Sequence, residues 1–193
     1  MQTVQQIITN WIETGNVDEP LDFTDIGDVD ELPLLPPNVR HLICCEIGLT
    51  RLPPLPDSLI SLECQANYIT ELPPLPDGLV RLYCDDNKLT TLPPLPDTLT
   101  ELCFPDNKLT EIPPLPFGLQ RLNCRFNRLT YLPDLPAGLR YLDCSINSLT
   151  TLPVLPSVLR SLDCSDNNLT VLPPLPTGLN KLDYSGNLLE RGA

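Results

Sequence analysis

The sequence predicts a solenoid of short stacked coils, with a parallel β-sheet along its concave side, an extended polyproline II-like convex side and an N-terminal α-helical cap. Three observations carry this expectation. From Glu31 onward the sequence repeats every 20 residues without an insertion, in eight units that begin at Glu31, Arg51, Glu71, Thr91, Glu111, Tyr131, Thr151 and Val171. The units follow one frame, x-L-P-x-L-P-x-x-L-x-x-L-x-C-x-x-N-x-L-T, of which residues 71–90 (ELPPLPDGLVRLYCDDNKLT) are typical. The first 30 residues fall outside that frame and begin with a helical period.

The N-terminal segment comes first. Val4, Ile7, Ile8, Trp11 and Ile12 recur at the spacing of one helix face, with Gly15 placed to end the helix. The opposite face carries no Lys or Arg, which argues against a membrane-surface helix and for a cap over the first coil. Residues 21–35, LDFTDIGDVDELPLL, read as a decayed repeat that joins cap to solenoid. The expected organisation is a cap with a degenerate first repeat over residues 1–30, eight repeats over 31–190 and a tail over 191–193.

Within a repeat, the second Leu and the Cys of L-x-x-L-x-C are two apart, the period of a strand with one buried face. Leu82 and Cys84 are expected to point inward, and Arg81 and Tyr83 outward. The Asn that follows, at positions 67, 87, 107, 127, 147, 167 and 187, turns the chain. Its side-chain amide can bond backbone groups that a buried turn would otherwise strand. The L-P-x-L-P leg cannot be helical, because proline lacks a donor and clashes with the preceding turn. An extended leg with both leucines inward is expected there. One coil cannot bury its own leucines, so the eight must share a continuous core.

This frame defines a leucine-rich-repeat solenoid, and residues 31–190 resemble the Pro-rich bacterial leucine-rich repeats of the YopM and IpaH type effectors, which carry the same L-P-x-L-P-x-x-L-x-x-L and N-x-L-T. Those proteins usually have Val or a similar residue where this chain has Cys. The resemblance implies a non-enzymatic scaffold for protein–protein interaction: a secreted virulence effector that binds a host protein in the host cytoplasm. IpaH-type proteins continue into a ubiquitin-ligase domain, whereas this sequence stops at Ala193. The alternatives are the substrate-recognition arm of a larger ligase, and a structural solenoid that self-associates.

Composition narrows the function classes. The 193 residues carry 12 Lys+Arg against 25 Asp+Glu, a net charge of −13, so nucleic acid and anionic membrane are poor partners. No apolar stretch approaches the ~20 residues of a membrane span, and the N-terminus lacks a Sec-type signal pattern. Eight cysteines raise the question of disulfides or a metal. Cys44, Cys64, Cys84, Cys124, Cys144 and Cys164 form one inward column at a spacing of ~4.8 Å. Phe104 and Tyr184 take the same slot, which suits packing and not metal ligation. A reduced, cytosolic chain without cofactor or metal is expected, with Cys45 and Cys103, on outward positions, as its accessible thiols.

Candidate chemistry on the outward face is sparse. His41 is the only histidine. Cys45 lies ~13 Å from it along the strand, too far for a nucleophile–base pair. There is no Gly-rich phosphate loop and no zinc spacing. The middle of the sheet gathers Arg81, Tyr83, Cys103, Arg121, Arg125, Phe126 and Tyr141, and exposed Tyr and Arg are residue types that anchor interfaces. These seven are the expected partner-binding residues. A second zone stacks Asp143, Asp163 and Asp183 with Asp166 nearby; it lacks the oxygen-rich loop of a calcium site. The last unit swaps Cys for Tyr184 and Thr for Glu190, so either Tyr184 and the tail cap it or its edge strand pairs with another chain. The chain is expected to be a monomer or to self-associate weakly through that edge.

Overall fold

The described residues of the computed structural model, 2–24 and 26–189, form one helix and a nine-stranded parallel sheet. Glu190 and the tail 191–193 lie outside the described residues, and so does the tail's part in capping.

Helix α1 spans Val4–Thr14. Thr3 opens it with a reciprocal cap: the Gln6 amide N–H donates to the Thr3 hydroxyl at 3.2 Å, and the Thr3 N–H donates to the Gln6 side chain at 2.8 Å. Gly15 closes it in the left-handed region at φ 65°. Ile8 and Trp11 are buried against the first coil, and the Trp11 indole N–H donates to the Glu19 carbonyl at 3.0 Å. Val4 and Ile7 pack at the margin of the core, but Ile12 stays 56% exposed, so the buried stripe is narrower than the apolar pattern.

Strand β1, Leu21–Asp22, pairs in parallel with β2, His41–Ile43, in the register Leu21↔Leu42. This first coil is 21 residues from the next, not 20, which is why it sits outside the strict period. Phe23 fills the slot that cysteine fills elsewhere: its N–H donates to Ile43 at 2.9 Å as that of Cys44 donates to Glu63 at 2.8 Å. The remaining strands are three residues each: β3 (Ser61–Glu63), β4 (Arg81–Tyr83), β5 (Glu101–Cys103), β6 (Arg121–Asn123), β7 (Tyr141–Asp143), β8 (Ser161–Asp163) and β9 (Lys181–Asp183). From β2 to β9 each residue pairs with the one 20 positions on, so the repeat period is the strand register.

The core follows the frame. Leu79, Leu82, Cys84 and Leu89 are fully buried, as are their counterparts in the neighbouring coils, and Leu72 is nearly so. The proline-rich leg has neither helix nor strand; its second leucine, as at Leu75, is only partly covered. Each column thiol faces the carbonyl of the next coil, at 3.4 Å (Cys124 to Asp143) to 3.7 Å (Cys84 to Cys103). None of the eight cysteines is in a disulfide. Phe104 is fully buried in the same column, as packing requires.

The asparagines tie coil to coil. Asn67 donates to the Cys44 carbonyl at 2.8 Å and the Cys64 carbonyl at 3.1 Å, and its Oδ1 accepts from Leu49 at 2.9 Å. Asn187 still does the same in the last coil. The residue before each of the seven Asn is left-handed, with φ from 48° at Asp86 to 54° at Asp106 in six coils and Gly186 in the seventh, and Glu46, before Ile47, takes the same conformation at 58°.

The last coil departs from the expectation that Tyr184 packs in the cysteine slot. Tyr184 is 47% exposed and Leu175 43%, while Leu179 and Leu182 are only partly buried where Leu159 and Leu162 are fully so. No following coil lies over them among the described residues.

Candidate functional site

Strands β4 to β7 place Arg81, Tyr83, Cys103, Arg121 and Tyr141 on the concave face, because each flanks one of the buried leucines Leu82, Leu102, Leu122 and Leu142. Tyr83 lies opposite Cys103, and Arg121 opposite Tyr141. Bonds across the strands hold these side chains. The Tyr83 hydroxyl donates to Glu101 Oε2 at 2.7 Å, and the Arg121 guanidinium lies over the Tyr141 ring, 5.8 Å from its centre. Burial, then the Glu101 carboxylate, raises the Tyr83 phenol, which remains a neutral donor. Arg81 turns the other way, toward the Ser61 hydroxyl at 3.4 Å. Arg125 and Phe126 stand at the rim, in the turn after β6; both are exposed, and Phe126 holds φ 52°.

Cys103 corrects the expectation of an accessible thiol. Its register is outward, yet it is only 4% exposed, between Tyr83 and Asn123 with Arg121 reaching diagonally beside it. Burial pushes its thiol up to about 11. It floors the patch instead of presenting a nucleophile. Cys45 is partly exposed, its thiol donating to Gln65 Oε1 at 2.9 Å, and burial raises its pKa as well.

Asp85, on the position after the cysteine slot, is the unsettled group of this patch. Its Oδ1 is buried without a hydrogen-bond partner, and burial pushes its carboxyl up to about 6 against the opposing pull of Arg121. A buried acceptor without a donor is a cost that a partner's N–H could relieve.

The recess of the face lies further along the solenoid than the predicted patch. A hollow of about 220 Å³ begins at Arg121 and Tyr141 and runs past Asp143 and Asp163 to Lys181. The stacked aspartates are already engaged on one side: Asp143 Oδ1 accepts from the Ser145 N–H at 3.1 Å and hydroxyl at 2.7 Å, and Asp163 and Asp183 repeat this with Ser165 and Ser185. Among the described residues no group of three or more His, Cys, Asp or Glu converges as a metal site. His41 lies beside Ser61 as the register predicts, but Ser61 is buried and takes up Arg81.

The convex side is less uniform than expected. Phe117 is 92% exposed on the turn where three coils carry Asp57, Asp77 and Asp97. That interruption of an acidic column was the available signal.

The Leucine Rich Repeat family model matches residues 158–179, about one coil. The fold is similar to YopM from Yersinia enterocolitica (38% identity, TM-score 0.70), covering 84% of this chain and 41% of that one. A Shigella effector LRR domain matches at 29% identity and TM-score 0.69, with coverage of 88% and 67%. The functional domain of InlJ from Listeria monocytogenes, described as including a cysteine ladder, matches at 28% identity and TM-score 0.70, with coverage of 96% and 42%. The chain thus spans less than half of the YopM and InlJ chains. No curated protein matches the sequence. The chain is a leucine-rich-repeat solenoid whose repeats are similar to those of the YopM and Shigella effector structures.

Proposed function

We propose that this leucine-rich-repeat solenoid is a non-enzymatic recognition scaffold that binds a protein partner on the middle of its concave sheet, as a secreted bacterial effector does in a host cell. Phe126 is the observation that supports the site best. A half-exposed phenylalanine is held at φ 52°, a position that three coils fill with Asp, the last with Gly186 and the others with Glu46, Ala66 and Ile146. A bulky residue there costs about 1 kcal/mol or more and gains little packing in the free chain. Such a cost is consistent with a side chain kept for contact with another molecule.

Around it, Tyr83 and Tyr141 offer broad amphipathic surface, and Arg121 and Arg125 offer planar donors. The stacked aspartates Asp143 and Asp163 lie to one side, while Glu101 and Asp85 sit within the patch itself, which favours a partner segment that brings hydrogen-bond donors together with apolar groups. The effector reading leans on similarity to YopM and to the Shigella effector domain. Placement in a reduced cytosol accords with eight unpaired thiols.

The test is photo-crosslinking in a host-cell lysate with benzoylphenylalanine at Tyr141, and separately at Phe117 on the convex side. One defined adduct from position 141 and none from 117 supports the concave site. The reverse pattern rejects it.

A further inference from the structure

From Tyr68 to Asn168, each coil carries one exposed residue just after the turn asparagine, and its N–H donates to the preceding coil. In three consecutive coils that residue is a cation: Lys88 donates to Ile69 at 2.8 Å, Lys108 to Leu89 at 2.8 Å and Arg128 to Leu109 at 2.9 Å. These bonds stack the three ~4.8 Å apart, on the edge of the solenoid beyond the turns that follow the strands. We propose that this edge is a second interaction surface, which takes an extended acidic segment of a protein partner across Lys88, Lys108 and Arg128.

The row is uncompensated in the chain itself. Like charges at one strand spacing repel. Among the described residues the ion pairs are Arg40 with Asp18 and Arg51 with Glu31, so no carboxylate matches any of the three. Lys88 lies instead over the Tyr68 ring, 4.4 Å from its centre, which closes the row at one end. Asp86 and Asp106 stand two residues earlier in their turns without pairing, and Glu111 accepts from the Tyr131 hydroxyl at 3.4 Å. At Arg128 the turn acid itself is replaced by Phe126, so positive charge is least opposed there. One exposed ion pair contributes little, and three in a row act together.

Spacing and composition select the occupant. Side chains alternate along this edge, Asn87 and Leu89 inward, Lys88 and Thr90 outward, so the exposed Thr90, Thr110 and Thr130 run beside the cations. Ammonium and guanidinium groups flanked by hydroxyl donors suit carboxylates. The row spans ~10 Å, two strand spacings, which an extended peptide covers with two acidic residues on one face. It ends at Tyr68 on one side and at Ser148 on the other, within a chain of net charge −13. A nucleic acid or an anionic membrane extends past the row into that repulsion, whereas a short acidic segment does not.

The surface lies outside the seven residues of the concave site, and its test needs no captured partner. Fluorescence anisotropy of the 193-residue chain is measured at low salt with a labelled peptide of alternating Glu and Ser, and with the same peptide carrying Gln for Glu. The wild type is expected to bind the Glu peptide and not the Gln peptide. Lys108→Gln with Arg128→Gln should weaken binding by about tenfold or more. Arg140→Gln with Arg160→Gln removes equal charge just before β7 and β8, at the other end of the strands, and should leave binding unchanged. Lys108→Arg with Arg128→Lys should retain it, and thermal melts show that each variant is folded. The proposal is overturned if the wild type ignores the Glu peptide or if both Gln pairs weaken binding equally. It is also overturned if an oligo-dT strand or phosphatidylserine vesicles bind more tightly than the peptide and lose that binding in the Lys108, Arg128 variant.

Discussion

Asn107 donates to the carbonyl of Cys84, 23 positions earlier, at 3.0 Å, and so fastens its own turn to the floor of the preceding coil. The same amide donates to Phe104 at 3.2 Å and accepts from Leu89 at 2.9 Å. Asn107 is only 8% exposed, so water cannot replace these partners. Repeated along the solenoid, this contact converts a sequence period into a rigid register.

Replacing Asn107 by Ala is therefore expected to destabilise the chain by ~1–3 kcal/mol, because buried groups on two coils lose their partners. Urea melting of the variant checks this. A loss under ~0.5 kcal/mol, the size of an ordinary surface change, contradicts it.

The cysteines should separate by accessibility and not by outward register. Burial raises the thiols of the column, with Cys164 at about 11 and Cys144 well above its ordinary value. Cys103 stands at about 11 for the same reason. Thiol labelling of the native chain at neutral pH should modify Cys45 ahead of the other seven. Equal rates at Cys45 and Cys103 would restore the two-thiol expectation from sequence.

Asp85 should make stability pH-dependent. Its carboxyl is raised from 3.8 to about 6, so the folded state holds this proton more firmly than the unfolded state. Its contribution favours the fold at low pH and is lost as pH rises through that window. Asp85→Asn keeps the shape without the charge; the stability gap between wild type and variant should be wider at pH 7.5 than at pH 5. Paired denaturant melts measure it, and a gap that narrows with rising pH refutes the assignment.

Phe126→Asn relieves a left-handed backbone that Asn tolerates, and should raise stability by up to about 1 kcal/mol. The same change should reduce partner capture. A variant that is less stable than the wild type would show that Phe126 is held for packing.

Much of this was legible in sequence because neighbouring coils are nearly identical. Given the period, the partner of Leu82 in the next strand had to be Leu102, and the inward path of Cys84 followed from two-residue alternation. What escaped depends on size and on ends. Cys103 is outward in register but shaded by Tyr83 and Arg121, which alternation cannot express. Tyr184 was expected to fill a slot that only a following coil would close. Phe23 hid in the cysteine column because its coil is one residue longer. For the seven residues of the expected interface, the two-residue alternation and the turn after β6 give a place on the face or its rim.

The most direct test compares the triple variant Tyr83→Ala, Arg121→Ala, Tyr141→Ala with a convex control, Asp57→Ala, Asp77→Ala, Asp97→Ala. Each is measured against the partner captured by the wild-type chain, after circular dichroism has shown the fold intact. The concave variant should bind at least ~tenfold more weakly, a loss of ~1.4 kcal/mol that two or three such side chains readily supply, and the control should bind as the wild type does. Normal binding by the concave variant together with loss in the convex control would contradict the account.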